Sequence, residues 1–265
     1  MAKKVRKPSG YVVYEGPSAL TGDPIVAIAT MHSDNRKTGD MVQVWYLLAE
    51  IDPIGGNRTG ADRAICGDCP SRGAAQPEAS SGLAEGRACY VDLGRAPSVI
   101  YGAWKRGAYP KLEGHAAIAA LGRGRRVRLG AYGDPASVPG YINESLVAEA
   151  EGHTAYSHQI DFKGRGATFD GGLMMVSADS LSDAQRAWEA NLRTFRVVSS
   201  VAEVVKGREV LCPASEEAGM RTQCERCLLC GGAGVRAKSI AIVAHGAGRK
   251  YHAPVSLREN QERIT

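Results

Sequence analysis

Several features that would place this sequence in a common class of protein are missing from it. No apolar run approaches the roughly 18 residues that a bilayer-spanning helix needs, and the first residues do not resemble a secretory signal. No GxGxxG motif follows a predicted strand, so there is no dinucleotide-binding fingerprint. A replication initiator of the His-hydrophobic-His nuclease type is also disfavoured, because four residues separate His153 from His158. We therefore expect a cytoplasmic chain with no membrane partner.

The composition is that of an ordinary soluble globular protein. Hydrophobic residues make up 44% of the 265 residues and charged residues 23%, which predicts one sizeable core. The net charge of +5 is mildly basic, and the basic residues form an N-terminal arm and a second cluster. Both are candidates for contacts with nucleic-acid phosphates, and a solvated tail and turn are the alternatives. The arm contains Lys3, Lys4, Arg6 and Lys7, and the cluster contains Arg123, Arg125, Arg126 and Arg128.

Four of the seven cysteines lie in the stretch from Cys212 to Cys230. Three of them follow the spacing Cys224-x2-Cys227-x2-Cys230, and short loops of this kind place sulfurs on one side of the chain, where they can bind one metal ion. Cys212 completes a four-sulfur set that suits zinc or an iron–sulfur cluster. Without a secretory signal, metal binding is favoured over disulfides. The alternative is a group of reduced structural thiols.

The remaining cysteines are Cys66, Cys69 and Cys89, with a polar, small-residue loop between the last two. Three thiolates can hold a metal ion with one coordination position open, and an open position is what catalysis at a metal requires. Equally, the three cysteines complete or support a single structural site. The sequence leaves both interpretations of this possible second metal site open.

The fold is predicted to be a single α/β domain over residues 11–265, preceded by a basic disordered arm over residues 1–10. Three strands rich in Val, Ile and Tyr predict a small antiparallel sheet near the N-terminus. Strands that alternate with helices follow from Arg125 onward, which predicts parallel βαβ units. We expect a (β/α) barrel, complete or incomplete, rather than an open sheet. The domain divides into a β-rich start (11–60), a cysteine loop (61–95), β/α repeats (96–211), and a metal knuckle with the last strand (212–265).

The predicted elements have definite bounds. The early strands are Tyr11–Tyr14, Pro24–Met31 and Met41–Ala49. The later strands are Arg126–Tyr132, His153–Gln159, Leu173–Ala178, Arg193–Ser199 and Ser239–Ala244. The predicted helices are Pro97–Arg106, Gly114–Leu121, Tyr141–Glu151 and Asp183–Leu192.

Polar residues stand at the carboxyl ends of three of these strands. They are Asp134, His158 and Asp179. In both α/β architectures, functional sites form at this edge of the sheet, so these three residues are candidates for such a site. The alternatives are a turn role for Asp134, which precedes Pro135, and a helix-capping role for Asp179.

Four segments together resemble a group of bacteriophage-encoded, cysteine-rich barrel proteins without an assigned activity. They are CxxCP…CY, a strand ending in GDP, the strand HTAYSHQ, and the closing CPA…CxxCxxC. The resemblance runs from Cys66 to His245. It implies a viral or prophage origin, and hence the cytoplasm of a bacterial host cell.

More distantly, a barrel with a late cysteine knuckle resembles the tRNA-guanine transglycosylase superfamily, including phage enzymes that place 7-deazaguanine bases into DNA. This resemblance implies base exchange, with Asp179 as the nucleophile and Asp134 as the assisting acid or base. The implied partners are nucleic acid, with DNA favoured, and a free modified base. The resemblance also implies a zinc site formed by Cys224, Cys227, Cys230 and either His245 or Cys212.

Two other classes remain as alternatives. In a radical SAM-like enzyme, Cys66, Cys69 and Cys89 would hold an iron–sulfur cluster with one free iron, and the later four cysteines an auxiliary cluster. This interpretation accounts for all seven cysteines, although Cys89 lies far from Cys69 for that motif. A non-enzymatic zinc-bearing nucleic-acid-binding protein would use the basic arm and the knuckles, but it leaves the strand-end aspartates unexplained. Base exchange on DNA is the interpretation that we favour.

Overall fold

The structure is a computed structural model, and it describes residues 7–160 and 169–252. Within these residues the chain forms two five-stranded sheets that are flanked by helices. The strands are β1 (Gly10–Pro17), β2 (Pro24–Thr30), β3 (Val42–Leu48), β4 (Arg126–Tyr132), β5 (Gly152–Thr154), β6 (Tyr156–Ser157), β7 (Met175–Ala178), β8 (Thr194–Val198), β9 (Glu209–Leu211) and β10 (Ser239–Val243). The α-helices are α1 (Pro53–Thr59), α2 (Arg63–Cys66), α3 (Ala96–Lys105), α4 (His115–Ala119), α5 (Gly140–Val147), α6 (Leu181–Glu189) and α7 (Cys224–Cys227).

The first sheet has the strand order β1-β2-β3-β4-β5. Its first three strands are antiparallel, as predicted, whereas β3, β4 and β5 run parallel. Residues 25–29 of β2 are all fully buried, which explains why this strand is an unbroken apolar run rather than an alternating one. The N-terminal antiparallel strands therefore belong to the same sheet as the first parallel strands.

The second sheet has the order β6-β7-β8-β10-β9, and all its strands are parallel. The prediction of an α/β class with parallel strands is confirmed. In the part of the chain that the structure describes, neither sheet closes on itself, so the predicted barrel is not confirmed.

A single residue links the last strand of the first sheet to the first strand of the second sheet. The predicted strand His153–Gln159 is split at Ala155, which lies between β5 and β6. The N–H of Ala155 donates to the carbonyl of Cys230 at 3.1 Å, and its carbonyl accepts from the N–H of Met175 at 3.0 Å. The chain thus leaves one sheet and enters the other while it contacts the later cysteine stretch.

Most helix predictions are confirmed, with ends shifted by a few residues. The helix pair α1 and α2 lies in a segment for which no helix was predicted. Asp52 caps α1 by accepting from the N–H groups of Ile54 and Gly55, and Pro53 occupies its first turn. This Asp-Pro start is a helix signal that the glycine pair in the segment obscured. Among the described residues, none of the helices reaches the length and apolar character that a bilayer crossing requires.

Candidate functional site

A cavity of about 670 Å³ lies at the carboxyl ends of the parallel strands. Asp134 follows β4, His158 follows β6 and Asp179 follows β7, and all three side chains line the cavity. The three residues line one cavity although β4 belongs to the first sheet and β6 and β7 to the second, and the hydrogen bond from the N–H of His158 to Asp134 joins the two strand ends. The signal that located them was the polar residue that follows each apolar strand.

Asp179 is paired with His158. Its Oδ2 atom lies 3.0 Å from Nδ1 of His158, and the carboxylate side chain remains 33% exposed. The capping residue of α6 is Ser180, whose Oγ accepts from the N–H of Asp183 at 3.0 Å. The alternative that Asp179 caps this helix is therefore wrong, and its carboxylate is left to serve the cavity.

Asp134 is buried, and both of its carboxylate oxygens are engaged. Oδ1 accepts from the N–H of Ala136 at 2.9 Å, and Oδ2 accepts from the N–H of His158 at 2.8 Å. Burial raises the pKa of Asp134, although these hydrogen bonds and the neighbouring His158 oppose the effect. The carboxylate thus ties the end of β4 to the end of β6 and takes the turn role expected before Pro135. Its catalytic role stays a prediction.

His158 lies between Asp179 and the cysteine at position 69. Burial alone would lower the pKa of His158, but the charge of Cys69 and hydrogen bonds to Asp179 and Cys69 outweigh it. The result is a pKa well above the ordinary value, which favours the imidazolium form in the metal-free chain.

The three early cysteines, here called the first cysteine set, gather on one side of the cavity: Cys66, Cys69 and Cys89. The N–H of Cys69 donates to the carbonyl of Cys66 at 3.2 Å, and the N–H of Cys89 donates to the carbonyl of Ser71 at 3.0 Å. Burial raises the pKa of both Cys66 and Cys89, and the charges of neighbouring thiols add to the shift. The long loop between Cys69 and Cys89 therefore returns to its starting point.

Gln159, the residue after His158, forms hydrogen bonds with the turn that carries Cys66 and Cys69. Gln159 donates from Nε2 to the carbonyl of Cys66 at 3.0 Å and accepts the N–H of Asp68 at 3.4 Å. Gly67, at φ +55°, makes this close approach possible, because a Cβ at this position would overlap the Gln159 amide. Gln159 was not predicted as a site residue, because its only signal in the sequence is its position at the end of a predicted strand.

The four later cysteines, here called the second cysteine set, line the same cavity: Cys212, Cys224, Cys227 and Cys230. Helix α7 docks on the loop before β3, since the N–H of Cys224 donates to the carbonyl of Lys37 at 3.0 Å. Cys212 and Cys230 are buried within a small apolar cluster. Burial raises the pKa of Cys230 to about 12, so its thiol stays protonated at neutral pH unless a cation stabilises the thiolate.

Charge interactions connect Cys212 with the three other thiols of the second cysteine set. His245, the other predicted fourth ligand, instead stacks on Tyr90 at a centroid distance of 5.4 Å and contacts the carbonyl of Val243 through Nδ1 at 3.2 Å. Cys212 is therefore the better-placed fourth donor.

In neither cysteine set do the side chains already stand in the geometry of a metal site. Among residues 7–160 and 169–252, no group of three or more His, Cys, Asp or Glu side chains stands in a ready-made coordination geometry. The donor chemistry nevertheless fits a metal, because thiols grouped in a three and a four are soft ligands for zinc or an iron–sulfur cluster. Binding would require thiol deprotonation and side-chain rotation.

The cavity also contains cationic side chains that sequence analysis did not select for it. Lys37 and Arg128 line it beside the second cysteine set, and Nη2 of Arg128 donates to the Tyr90 hydroxyl at 2.5 Å. Burial lowers the pKa of Lys37, while nearby Cys212 and Cys224 oppose that shift. The polar loop that carries Lys37 gave no signal, because its docking on α7 depends on distant residues.

The basic residues predicted to bind nucleic acid differ in their surroundings. Arg125 lies 3.4 Å from Oδ2 of Asp40, and Arg126 lies 2.9 Å from Oε2 of Glu151. Arg123 pairs with Glu149, so three arginines of the second basic cluster are held by carboxylates. In the arm, Lys7 is exposed, whereas the remaining basic residues of the arm lie outside the described residues: Lys3, Lys4 and Arg6.

Comparison with known proteins finds no match to this chain among family models, curated proteins or solved structures.

Proposed function

We propose that this chain is a nucleic-acid-modifying enzyme, a base-exchanging transglycosylase of the 7-deazaguanine type that acts on DNA. The observation that carries the proposal is the position of Asp179. Its carboxylate follows the parallel strand β7, is one-third exposed, and is held through one oxygen by His158. Such a carboxylate at the catalytic edge of an α/β sheet is suited to nucleophilic attack.

The chemistry begins at the oxygen of Asp179 that His158 does not hold. Oδ1 attacks C1′ of the target nucleotide, and the new O–C1′ bond forms as the bond from C1′ to the base nitrogen breaks. The departing base takes up a proton from water. The incoming base then attacks C1′, loses its ring N–H proton to water and releases Asp179 as a free carboxylate, so protons balance over the exchange.

The cavity matches the size and charge of such a substrate. Its volume of about 670 Å³ lies within the ordinary range for small-molecule pockets, and a base swung out of a duplex would enter it. Lys37 and Arg128 supply positive charge in the lining, which suits a phosphate-bearing substrate. Asp134 acts in this proposal as a positioning residue, since both of its oxygens accept main-chain N–H groups.

Zinc on the second cysteine set is the structural part of the proposal. Its four thiolates would satisfy a tetrahedral ion and fasten α7 to the loop before β3. The ion supplies folding free energy rather than a reacting group. Cys212 rather than His245 is the proposed fourth ligand.

Incorporation of a labelled base tests the proposed function. Metal-replete protein is incubated with duplex DNA and with radiolabelled guanine or 7-deazaguanine bases, and acid-insoluble label is counted. The wild-type chain should incorporate label, Ser180→Ala should retain incorporation, and Asp179→Asn should abolish it. Wild-type protein that labels neither DNA nor RNA would overturn the proposal.

A second candidate function, a radical SAM-like iron–sulfur enzyme, is favoured by one specific observation. All seven cysteines line the cavity that contains Asp179, whereas a purely structural zinc site has no need to face it. Metal content and colour of anaerobically purified protein separate the two functions. A colourless zinc protein excludes the second candidate, and a brown protein with several irons per chain excludes the first.

A further inference from the structure

We propose that the first cysteine set and His158 together form a tetrahedral site for a divalent metal ion of the zinc class, and that Asp179 orients the histidine. This adds His158 as a fourth donor to three cysteines whose role was open. The site does not depend on base exchange, but it would bear on that reaction because His158 also holds the proposed nucleophile.

The main chain brings the three cysteines together. Cys66 ends α2, and Cys69 immediately precedes the 3-10 turn Pro70–Arg72. The hydrogen bond between the N–H of Cys89 and the carbonyl of Ser71 then places the third cysteine beside that turn. A loop of nearly twenty residues thus closes on itself at the cavity wall, with Ala74 and Glu85 paired inside it.

Two hydrogen bonds hold His158 next to the cysteine turn. Its own N–H is held by Asp134 at 2.8 Å, and the next residue, Gln159, is fastened to the carbonyl of Cys66 at 3.0 Å. The strand end and the cysteine turn therefore form one hydrogen-bonded unit, in which His158 also contacts the Cys69 thiol.

The ring of His158 is oriented as in many metal-bound histidines. Its Nδ1 faces Oδ2 of Asp179 at 3.0 Å, so a neutral imidazole would carry its proton on Nδ1 and donate it to the carboxylate. Nε2 is then the nitrogen with a free lone pair, available on the side of Cys69. A carboxylate behind a ligating histidine is the usual arrangement, since it fixes the tautomer and raises the basicity of the ligand.

The frame around the cysteines is rigid. Arg72 forms a buried ion pair with Asp62 at 2.6 Å and donates to the carbonyl of Gly67 at 3.0 Å. Arg87 donates to the carbonyl of Cys89 at 3.0 Å. The main chain at Gly67 and Cys89 is thus held by side-chain hydrogen bonds, and metal binding would require the cysteine side chains to rotate toward the ion.

Zinc stoichiometry is the first test. We expect roughly two zinc ions per wild-type chain, one for each cysteine set. His158→Ala should lose the ion of the first cysteine set, and Asp179→Asn should keep it with about 10- to 100-fold weaker affinity in chelator competition. His115→Ala, which changes a histidine outside the cavity lining, should leave both ions in place. One zinc per wild-type chain, or a His158→Ala variant with two equally tight ions, would overturn the proposal.

A thiol footprint on the unmodified chain gives the second test, which does not require any variant to fold. Cys66, Cys69 and Cys89 should resist iodoacetamide in the native protein and react once a chelator removes the metal. The alternative use of the same groups is a thiolate nucleophile, with Cys69 activated by His158 and Asp179. In that case Cys69 would alkylate rapidly without chelator, and the metal proposal would fail while base exchange was left untouched.

Discussion

The Oδ2 atom of Asp179 lies 3.0 Å from Nδ1 of His158, and this contact joins the ends of two neighbouring parallel strands. The helix that follows Asp179 is capped by the next residue, Ser180. Of these two adjacent side chains, Asp179 therefore lines the cavity, whereas Ser180 stabilises the helix. Substitution can distinguish them.

Asp179→Asn should leave a folded protein with no base exchange and no covalent adduct with nucleic acid. Asn cannot form the sugar ester, but its amide oxygen can still accept a hydrogen bond from Nδ1 of His158, so the fold should be retained. Ser180→Ala should retain activity. Its free energy of unfolding should be lower by about 1 kcal/mol, because the helix cap is removed. Thermal melts and label incorporation measure both. An active Asn variant would remove Asp179 from the mechanism.

Gly67→Ala should lower the free energy of unfolding by about 2 kcal/mol or more, because φ is +55° and the new Cβ would overlap Gln159. Gly82→Ala is the matched control, with φ +91° and open space around the position, so it reports backbone strain alone. Adding Gln159→Ala to Gly67→Ala should recover part of the stability. Equal urea midpoints for the two glycine variants would argue against the Gln159 contact.

Cys227→Ser should lower solubility and melting temperature together, because the free energy of metal binding at the second cysteine set is folding free energy. Chelator treatment of the wild-type chain should reproduce the melting curve of the variant. A Cys227→Ser protein that folds normally and only loses activity would contradict a structural role for this set.

His153 should make stability fall as the pH drops below about 6.5. Burial lowers the pKa of His153 in the folded chain, against the opposing effects of the hydrogen bond to Leu173 and the charge of Asp170. Below the unfolded pKa the unfolded chain therefore binds more protons, and stability is lost as pH falls toward the folded pKa. His153→Gln should flatten this slope in urea titrations at pH 7.5 and 5.5. Parallel slopes for wild type and His153→Gln would refute the assignment.

Deleting residues 1–7 should make the salt dependence of nucleic-acid binding shallower, by about 0.9 in slope for each phosphate that the arm neutralises in the intact chain. Fewer counterions are released when the basic arm is absent. Arg126→Gln is the internal control, since Arg126 already pairs with Glu151 at 2.9 Å and should contribute less. An unchanged slope in the deletion would exclude the arm from the interface.

The parts of the fold that local pattern determines could be predicted from the sequence. The strand Arg126–Tyr132 has the predicted bounds, and the polar residues that follow three predicted strands all line one cavity. Closure of a sheet depends on pairing between distant strands, and the alternation of strand and helix does not encode it. The positions of Lys37 and His245 also depend on residues that are distant in the sequence. Lys37 was therefore not predicted at the cavity, and His245 was considered as a ligand although its ring contacts that of Tyr90.

The hydrogen bond from Ala155 to Cys230 has a consequence for how the chain reaches its native state. Ala155 joins the sheets, yet its partner is synthesised much later, near the end of the chain. During translation the first sheet can form as soon as β5 emerges, but the cavity stays incomplete until the second cysteine set arrives. A nascent or truncated chain that ends before Cys230 would contain all five strands of the first sheet but an incomplete pocket.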